Sequence, residues 1–156
     1  MYAVSVLLHN VRSAHNVGSI FRTADAAGVT GVYLSGYTPR PIDRFGRIQK
    51  DIAKTALGAE RSVAWEYATS PHAHLKKMRA QGFQIIGVEQ DHRSRDYRSF
   101  RATKPALFIF GNEVRGLSHA LRDECDMLLE IPMRGSKESL NVAVAAGIVL
   151  FNTRTR

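Results

Sequence analysis

An apolar strand leads into a glycine-bracketed loop and a helix in the sequence Leu107-Phe-Ile-Phe-Gly-Asn-Glu-Val-Arg-Gly-Leu-Ser118. The spacing of Gly111 and Gly116 matches a phosphate-binding loop, but Leu117 occupies the position of the lysine that such loops need. Without that ammonium group, a site for β- and γ-phosphates, and with it NTPase chemistry, is disfavoured. The chain has no G-x-G-x-x-G sequence, which also disfavours a Rossmann dinucleotide site. The loop is therefore predicted to bind a different ligand.

Strand and helix patterns alternate on both sides of this loop. Short apolar runs predict strands at residues 4–8, 29–34, 63–67, 83–88, 107–110 and 127–131. Apolar spacing and helix-start signals predict helices at residues 16–27, 48–57, 70–82, 118–124 and 141–151. This alternation predicts an α/β fold with a mainly parallel sheet flanked by helices. Ligands bind beyond the carboxyl ends of such strands, where residues 9–16, 111–118 and 132–140 are expected to meet.

The charge of the chain indicates a polyanionic partner. Its 156 residues predict a single domain, and 22 Lys and Arg stand against 14 Asp and Glu, which gives a net charge of +8. Such an excess is typical of proteins that contact the phosphates of nucleic acids. The alternative is a protein whose charge only keeps it soluble.

Membrane, secretory and metal-binding classes are disfavoured by the sequence. No apolar run approaches the roughly 20 residues of a membrane span, and the N-terminus lacks the features of a secretory signal. Cys125 is the single cysteine, which excludes an internal disulfide and favours a cytoplasmic location. His72 and His74 lie two residues apart on a predicted helix, so they point to different faces, and no metal site is expected.

Three blocks of the sequence, taken together, carry a resemblance to a known family. They are His9-Asn-Val-Arg-Ser-Ala-His-Asn-Val-Gly-Ser-Ile-Phe-Arg-Thr-Ala-Asp-Ala-Ala-Gly28, the stretch from Leu107 to Ser118, and Ile131-Pro-Met-Arg-Gly-Ser-Lys-Glu-Ser-Leu-Asn-Val142. Their order and spacing resemble the three motifs of the SPOUT superfamily, in its SpoU/TrmH branch. The resemblance implies S-adenosyl-L-methionine-dependent methylation of a ribose 2′-hydroxyl of RNA, a C-terminal trefoil knot and a homodimer.

The resemblance assigns the chemistry to five residues, which are Asn16, Arg22, Glu113, Ser139 and Asn141. Arg22 lies opposite the apolar stripe of its predicted helix, so it is not expected in the core. Because a guanidinium is hard to deprotonate, we expect Arg22 to stabilise the developing alkoxide rather than to act as a base. By resemblance, Glu113 orders the site and this arginine. Asn16 and Asn141 have an alternative role as N-caps of the helices they precede.

Seven residues are expected to bind the cofactor, and they are Glu89, Gly111, Gly116, Ile131, Met133, Ser139 and Leu140. Ile131, Met133 and Leu140 would supply apolar walls and backbone groups for the adenine. Gly111 and Gly116 would allow close approach of the backbone or unusual dihedral angles. Glu89 follows the strand at residues 83–88 and is a further candidate wall.

Two basic segments, residues 40–50 and 93–104, are expected to contact RNA. The arginines predicted to bind it are Arg12, Arg44, Arg47, Arg95, Arg98 and Arg101. Tyr97 and Phe100 lie among the arginines of the second segment, where they could stack on unpaired bases. The alternative is that both aromatic side chains fix the segment to the core.

The last predicted helix is apolar on nearly every face, which favours a subunit interface as much as a core position.

The resemblance leaves several functions open. Transfer RNA is favoured as the substrate because short members of the family often act on it, and ribosomal RNA is the alternative. Methylation of a base, a SPOUT-fold RNA-binding protein without catalysis, and a degenerate NTPase are the competing interpretations.

Overall fold

The computed structural model describes residues 1–154 of the chain. Seven strands are present: β1 (Val4–His9), β2 (Gly31–Ser35), β3 (Trp65–Ala68), β4 (Gln84–Val88), β5 (Arg95–Asp96), β6 (Ala106–Phe110) and β7 (Met127–Glu130). The helices are α1 (Ala14–Ala26), α2 (Lys50–Ala56), α3 (Ala59–Ser62), α4 (Pro71–Ala80), α5 (His119–Glu124) and α6 (Val142–Arg154). A single 3₁₀ turn, Tyr97–Ser99, follows β5.

The strands form one sheet in the order β3-β2-β1-β6-β4-β7-β5, and every pair of neighbours is parallel. Helices cover both faces of the sheet. Alternate side chains of a strand point to opposite faces, so one strand packs against helices on both sides. Along β1, Val6 and Leu8 join the cluster that contains Ile20 of α1, whereas Leu7 joins the cluster that contains Leu75 of α4. All five residues of β6 are buried, as expected of a strand covered on both faces. The predicted α/β fold with a parallel sheet is confirmed.

Three short elements were not predicted, and α1 begins at a different residue from the prediction. The basic segment predicted as a loop contains β5 and the 3₁₀ turn, and α3 follows α2 directly. Helix α1 begins two residues earlier than predicted, because the Ser13 hydroxyl caps it and accepts a hydrogen bond from the backbone amide of Asn16 at 3.2 Å. The N-cap interpretation of Asn16 is therefore wrong, and its side chain is available for other contacts.

Parallel pairing brings the carboxyl ends of β1, β6, β4 and β7 to one edge of the sheet. The loops that follow these strands are the three predicted segments and the turn that begins at Glu89. Asn10 directly follows β1 with a φ of 58°, a conformation that Asn adopts more readily than most residues. This edge is where the candidate site forms.

Helix α6 is only partly covered by the chain itself. Ala146, Val149 and Leu150 are buried against the core, and the helix packs beside α1. Val144 is 51% exposed and Phe151 48% exposed, although both are apolar. Within residues 1–154, no helix has the length and apolar character to cross a membrane, and no cluster of three or more His, Cys, Asp or Glu side chains could hold a metal ion.

Candidate active site

Glu113 connects the loop after β6 to the loop after β1. Its carboxylate accepts hydrogen bonds from the backbone amides of Arg12 at 2.9 Å and Ser13 at 2.8 Å, and from Nδ2 of Asn16 at 3.2 Å. Partial burial acts to raise the pKa of this carboxyl, but these hydrogen bonds, together with that from the backbone amide of Glu113 itself, outweigh it and hold the pKa below the usual value. Glu113 is thus ionised at neutral pH and orders the first loop.

Asn16 extends this network to the third loop. Its Oδ1 accepts a hydrogen bond from Nδ2 of Asn141 at 3.1 Å, while Oδ1 of Asn141 accepts from the backbone amides of Ala143 at 2.8 Å and Val144 at 3.3 Å. Asn141 therefore caps α6, as the alternative interpretation predicted, and contacts the site as well. Glu113, Asn16 and Asn141 form one hydrogen-bonded chain that joins the loop after β6, the first turn of α1 and the segment before α6.

A cleft opens beside this network, between the ends of β4, β6 and β7. All seven residues predicted to bind the cofactor line it, together with Glu113: Glu89, Gly111, Gly116, Ile131, Met133, Ser139 and Leu140. Val88, Gln90, Phe110, Asn112, Val114, Glu130, Val142 and Ala145 complete the lining. The walls combine apolar side chains with a few convergent carboxylates and backbone groups, which is the usual composition of a small-molecule site.

Two glycines of the cleft have no room for a side chain. A Cβ on Gly111 would lie 2.6 Å from the backbone of Gly116, and a Cβ on Gly116 would lie 2.0 Å from Oε2 of Glu89. Gly116 also has a φ of 65°. The same Glu89 oxygen accepts a hydrogen bond from the backbone amide of Leu117 at 2.7 Å. The glycines thus let the loop fold back on itself and bring Glu89 into the cleft.

Replacing Gly116 with Ala should therefore damage the cleft. The substitution adds left-handed strain of about 1 kcal/mol and displaces a charge-assisted hydrogen bond worth about 2 kcal/mol. We expect a loss of about 3 kcal/mol in the free energy of unfolding, measured by urea denaturation. Gly28→Ala is the matched control, because Gly28 has a φ of 69° and no atom lies within 4 Å of the position that its Cβ would occupy. Equal losses in both variants would show that the contact with Glu89 contributes nothing.

Arg22 lies outside the network of Glu113, Asn16 and Asn141. Ser139, another predicted catalytic residue, lines the cleft. Arg22 is exposed on α1, as expected from its position opposite the apolar stripe. It lies six positions after Asn16, which corresponds to roughly 9 Å along a helix axis. Among residues 1–154 of one chain, its guanidinium has no hydrogen-bond or ion-pair partner, and Glu113 contacts Asn16 instead. That Glu113 orders Arg22 stays a prediction.

Comparison with known proteins shows the family to which the chain belongs. The model of the SpoU rRNA Methylase family matches residues 3–151. The chain belongs to the SpoU rRNA Methylase family. It is 35% identical over 149 residues to the 23S rRNA (guanosine-2'-O-)-methyltransferase RlmB of Neisseria meningitidis, an alignment that covers 96% of this chain and 57% of that protein. The chain spans a little over half the length of the curated relatives it matches.

Two solved structures of RNA-modifying enzymes have the same fold. An AdoMet-bound rRNA methyltransferase from Sinorhizobium meliloti superposes with a TM-score of 0.88 at 34% identity, covering 97% of this chain and 56% of that one. The A. aeolicus TrmH/SpoU tRNA modifying enzyme superposes with a TM-score of 0.85 at 30% identity, covering 99% of this chain and 75% of that one.

The sequence missed one group of polar residues beside the SpoU-family site. Asn112 donates through Nδ2 to the backbone oxygen of Asn10 at 3.1 Å and to the Tyr37 hydroxyl at 3.0 Å. Its Oδ1 accepts from the amides of Val114 and Arg115, both at 2.9 Å. The signal for this turn was present, since Asn directly after Gly111 favours such side-chain-to-backbone bonds. These contacts form a second groove that shares Asn112, Glu113 and Val114 with the cleft.

The predicted RNA-binding arginines of the SpoU-family chain differ in their surroundings. All six are exposed: Arg12, Arg44, Arg47, Arg95, Arg98 and Arg101. Arg12 lines the second groove. The Arg98 guanidinium is paired with Asp96, and Arg101 donates to backbone oxygens, so internal contacts already engage both groups. Arg44 and Arg47 flank an aromatic ring in the other basic segment.

Stacking on an RNA base requires a solvent-exposed ring, but the aromatic side chains of the second basic segment are buried or partly buried. Phe100 is 4% exposed and lies edge-to-face with Phe108 of β6, with ring centres 5.6 Å apart. Tyr97 is half-buried against the same core cluster. The interpretation of Phe100 as a stacking residue is wrong, and the alternative, a contact that fixes the segment to the core, is confirmed.

Proposed function

We propose that the chain is an S-adenosyl-L-methionine-dependent RNA 2′-O-ribose methyltransferase whose preferred substrate is transfer RNA. One observation carries the proposal: the hydrogen-bonded chain of Glu113, Asn16 and Asn141 borders a cleft lined by every residue predicted to bind the cofactor. The structure of the Sinorhizobium meliloti relative with AdoMet bound supports the choice of cofactor.

The cleft fits S-adenosyl-L-methionine in its chemistry. The absence of a Cβ on Gly111 and Gly116 brings backbone groups to the cleft wall, where they can meet a nucleoside. Ile131, Met133 and Leu140 provide apolar surface for the adenine. Glu89 accepts hydrogen bonds from the backbone amides of Gln90 and Leu117. It retains acceptor capacity for ribose hydroxyl groups, because an ionised carboxylate has about four acceptor sites. When bound, the cofactor supplies an electrophilic methyl group.

The residues of the chain orient the nucleophile and stabilise its charge. The groove beside the cleft, lined by Arg12, Tyr37 and Asn112, would receive the target nucleotide. Glu113 fixes the loop that carries Arg12, and Asn16 links that loop to the start of α6. Arg22 would stabilise the alkoxide that forms as the ribose hydroxyl gives its proton to solvent water. Preorganised positioning of this kind is a major source of rate acceleration in group transfer.

Ribosomal RNA is the second candidate substrate, because one relative is a 23S rRNA methyltransferase and another is a tRNA modifying enzyme. The deciding experiment transfers labelled methyl from S-adenosyl-L-methionine to total RNA, separates tRNA from rRNA and digests each to nucleosides. We expect a labelled 2′-O-methylnucleoside in the tRNA fraction. Label only in rRNA would transfer the proposal to the alternative substrate, and label on a base would contradict ribose chemistry. A chain that binds RNA but transfers no label would be a non-catalytic RNA-binding protein.

We also infer a homodimer, a C-terminal trefoil knot and, from the RNA substrate, a cytoplasmic location. The apolar exposed face of α6 supports the dimer, since Val144 and Phe151 are each about half exposed in one chain.

Val144→Asp should weaken dimerisation by about 100-fold, because it buries an unpaired charge. Sedimentation equilibrium would measure the change, with Ile48→Asp as a control at a 69% exposed apolar site elsewhere. A Val144→Asp dimer of unchanged affinity would exclude this face as the interface.

A further inference from the structure

The basic segment after β2 folds into a small, ordered hairpin at residues 42–48. Ile42 and Ile48 form an antiparallel bridge, and the amide of Gly46, at a φ of 79°, donates to the backbone oxygen of Asp43 at 2.9 Å. The Asp43 carboxylate accepts from the amides of Phe45 and Arg47, both at 2.9 Å. These bonds, above all that from Arg47, hold the pKa of Asp43 below its usual value, so the turn persists at neutral pH.

Phe45 stands at the tip of this hairpin, outside the core. Its side chain is 67% exposed, and the guanidinium carbons of Arg44 and Arg47 lie 4.9 and 5.0 Å from the centre of its ring. The Arg47 guanidinium is held in turn by a 2.9 Å bond from Nε to Asp43. The hairpin thus presents an aromatic ring at low entropic cost, because its turn and one flanking cation are already fixed.

The charge around the ring selects among possible partners. Residues 37–50 contain four basic side chains, Arg40, Arg44, Arg47 and Lys50, against the single carboxylate of Asp43. Arg40 covers the face of Tyr67 in the neighbouring strand β3 at 3.7 Å, so a second cation of the segment also lies on an aromatic ring. An exposed aromatic ring among cations matches a single-stranded nucleic acid, whose bases stack and whose phosphates pair with guanidinium groups.

The hairpin also belongs to the edge of the sheet that carries the candidate site. It follows β2, whose carboxyl end lies beside that of β1. Tyr37, between β2 and the hairpin, accepts a hydrogen bond from Asn112 of the site loop. An RNA strand that enters the groove beside the cleft can therefore continue toward the hairpin.

From this arrangement we infer that Phe45 is a stacking platform for an unpaired base of the RNA substrate, with Arg44 and Arg47 binding the adjacent phosphates. The inference rests on the proposed function, because it takes RNA as the substrate. The inference gives an RNA-binding role to Phe45, which takes no part in the proposed methyl transfer. It also explains why the segment exposes a large aromatic side chain that the core could otherwise bury.

The test measures binding of a single-stranded RNA of about 12 nucleotides containing 2-aminopurine, whose fluorescence falls when it stacks. Phe45→Ala should weaken binding by about 10-fold and abolish the quenching that the wild-type chain produces. Phe45→Trp should retain both signals, because indole also stacks. Ile48→Ala is the matched control, since Ile48 is as exposed as Phe45 on the same hairpin but has no aromatic ring that could stack on a base.

The salt dependence of RNA affinity distinguishes the contribution of base stacking from that of phosphate contacts. Phe45→Ala should leave the slope of log affinity against log salt unchanged, whereas Arg44→Gln should reduce it by about 0.7. Equal losses for Phe45→Ala and Ile48→Ala would overturn the inference, as would no RNA binding by the wild-type chain. A Phe45→Ala variant that keeps its RNA affinity but changes its oligomeric state would show a protein interface instead. The assay contains no S-adenosyl-L-methionine, so its result is independent of whether methyl transfer occurs.

Discussion

Glu113→Gln should reduce the kcat/KM for methyl transfer by about 100-fold while leaving the chain folded. The carboxylate holds the loop of Arg12 and Ser13 through two backbone amides and holds Asn16 through a third bond. A neutral amide keeps one acceptor oxygen and loses the charge, which costs on the order of 3 kcal/mol across such bonds. The measurement is initial rate against RNA concentration at saturating cofactor.

The control for this variant is Glu60→Gln. The Glu60 carboxylate also accepts a backbone amide hydrogen bond, from Gly58 at 3.1 Å, but it lies on α3 away from the cleft. We expect it to retain near-wild-type kcat/KM. Because the pKa of Glu113 is lowered in the folded chain, its stabilising contribution is present above the ordinary pKa of 4.5 and is lost as the pH falls through the lower folded value. Wild-type turnover by Glu113→Gln would refute the ordering role.

The sequence predicted the edge of the sheet at which the site forms, because strand–helix alternation places loops after parallel strands together. It did not predict the hydrogen bonds that join Glu113 to Asn16 and Asn16 to Asn141, which span 97 and 125 residues. Pairs so distant depend on the strand order, in which β6 is inserted between β1 and β4. Local periodicity contains no information on that order, and the family resemblance supplied the residues instead.

Aromatic residues among arginines were the least predictable feature. Phe100 and Phe45 have the same kind of sequence neighbours, yet one packs against Phe108 of β6 and the other is exposed on a hairpin. The difference arises from what lies opposite each segment in three dimensions. Similarly, Asn16 and Ser13 are both good N-cap residues, and the loop held by Glu113 determined that Ser13 takes the position.

Arg22→Ala should nearly abolish methyl transfer. We expect kcat to fall by at least about 100-fold, with cofactor affinity and dimerisation nearly unchanged. The expected loss is that of one preorganised donor to a developing oxyanion. Arg22→Lys should recover only part of the rate, since an ammonium lacks the planar fork of a guanidinium. Arg61→Ala, at an exposed arginine of α3, is the control and should retain full activity. Near-wild-type turnover by Arg22→Ala would show that the assigned role is wrong.

The position of Arg22 makes a second measurement informative. It is exposed and separated from the Glu113 network within one chain, so in the proposed dimer we expect it to act on the site of the partner subunit. Mixing inactive Arg22→Ala and Glu113→Gln chains tests this, because in mixed dimers one site then has both defects and the other has none. Recovery of up to half of the activity per mixed dimer is expected. If Arg22 served its own chain, each site would carry one defect and the mixture would stay inactive.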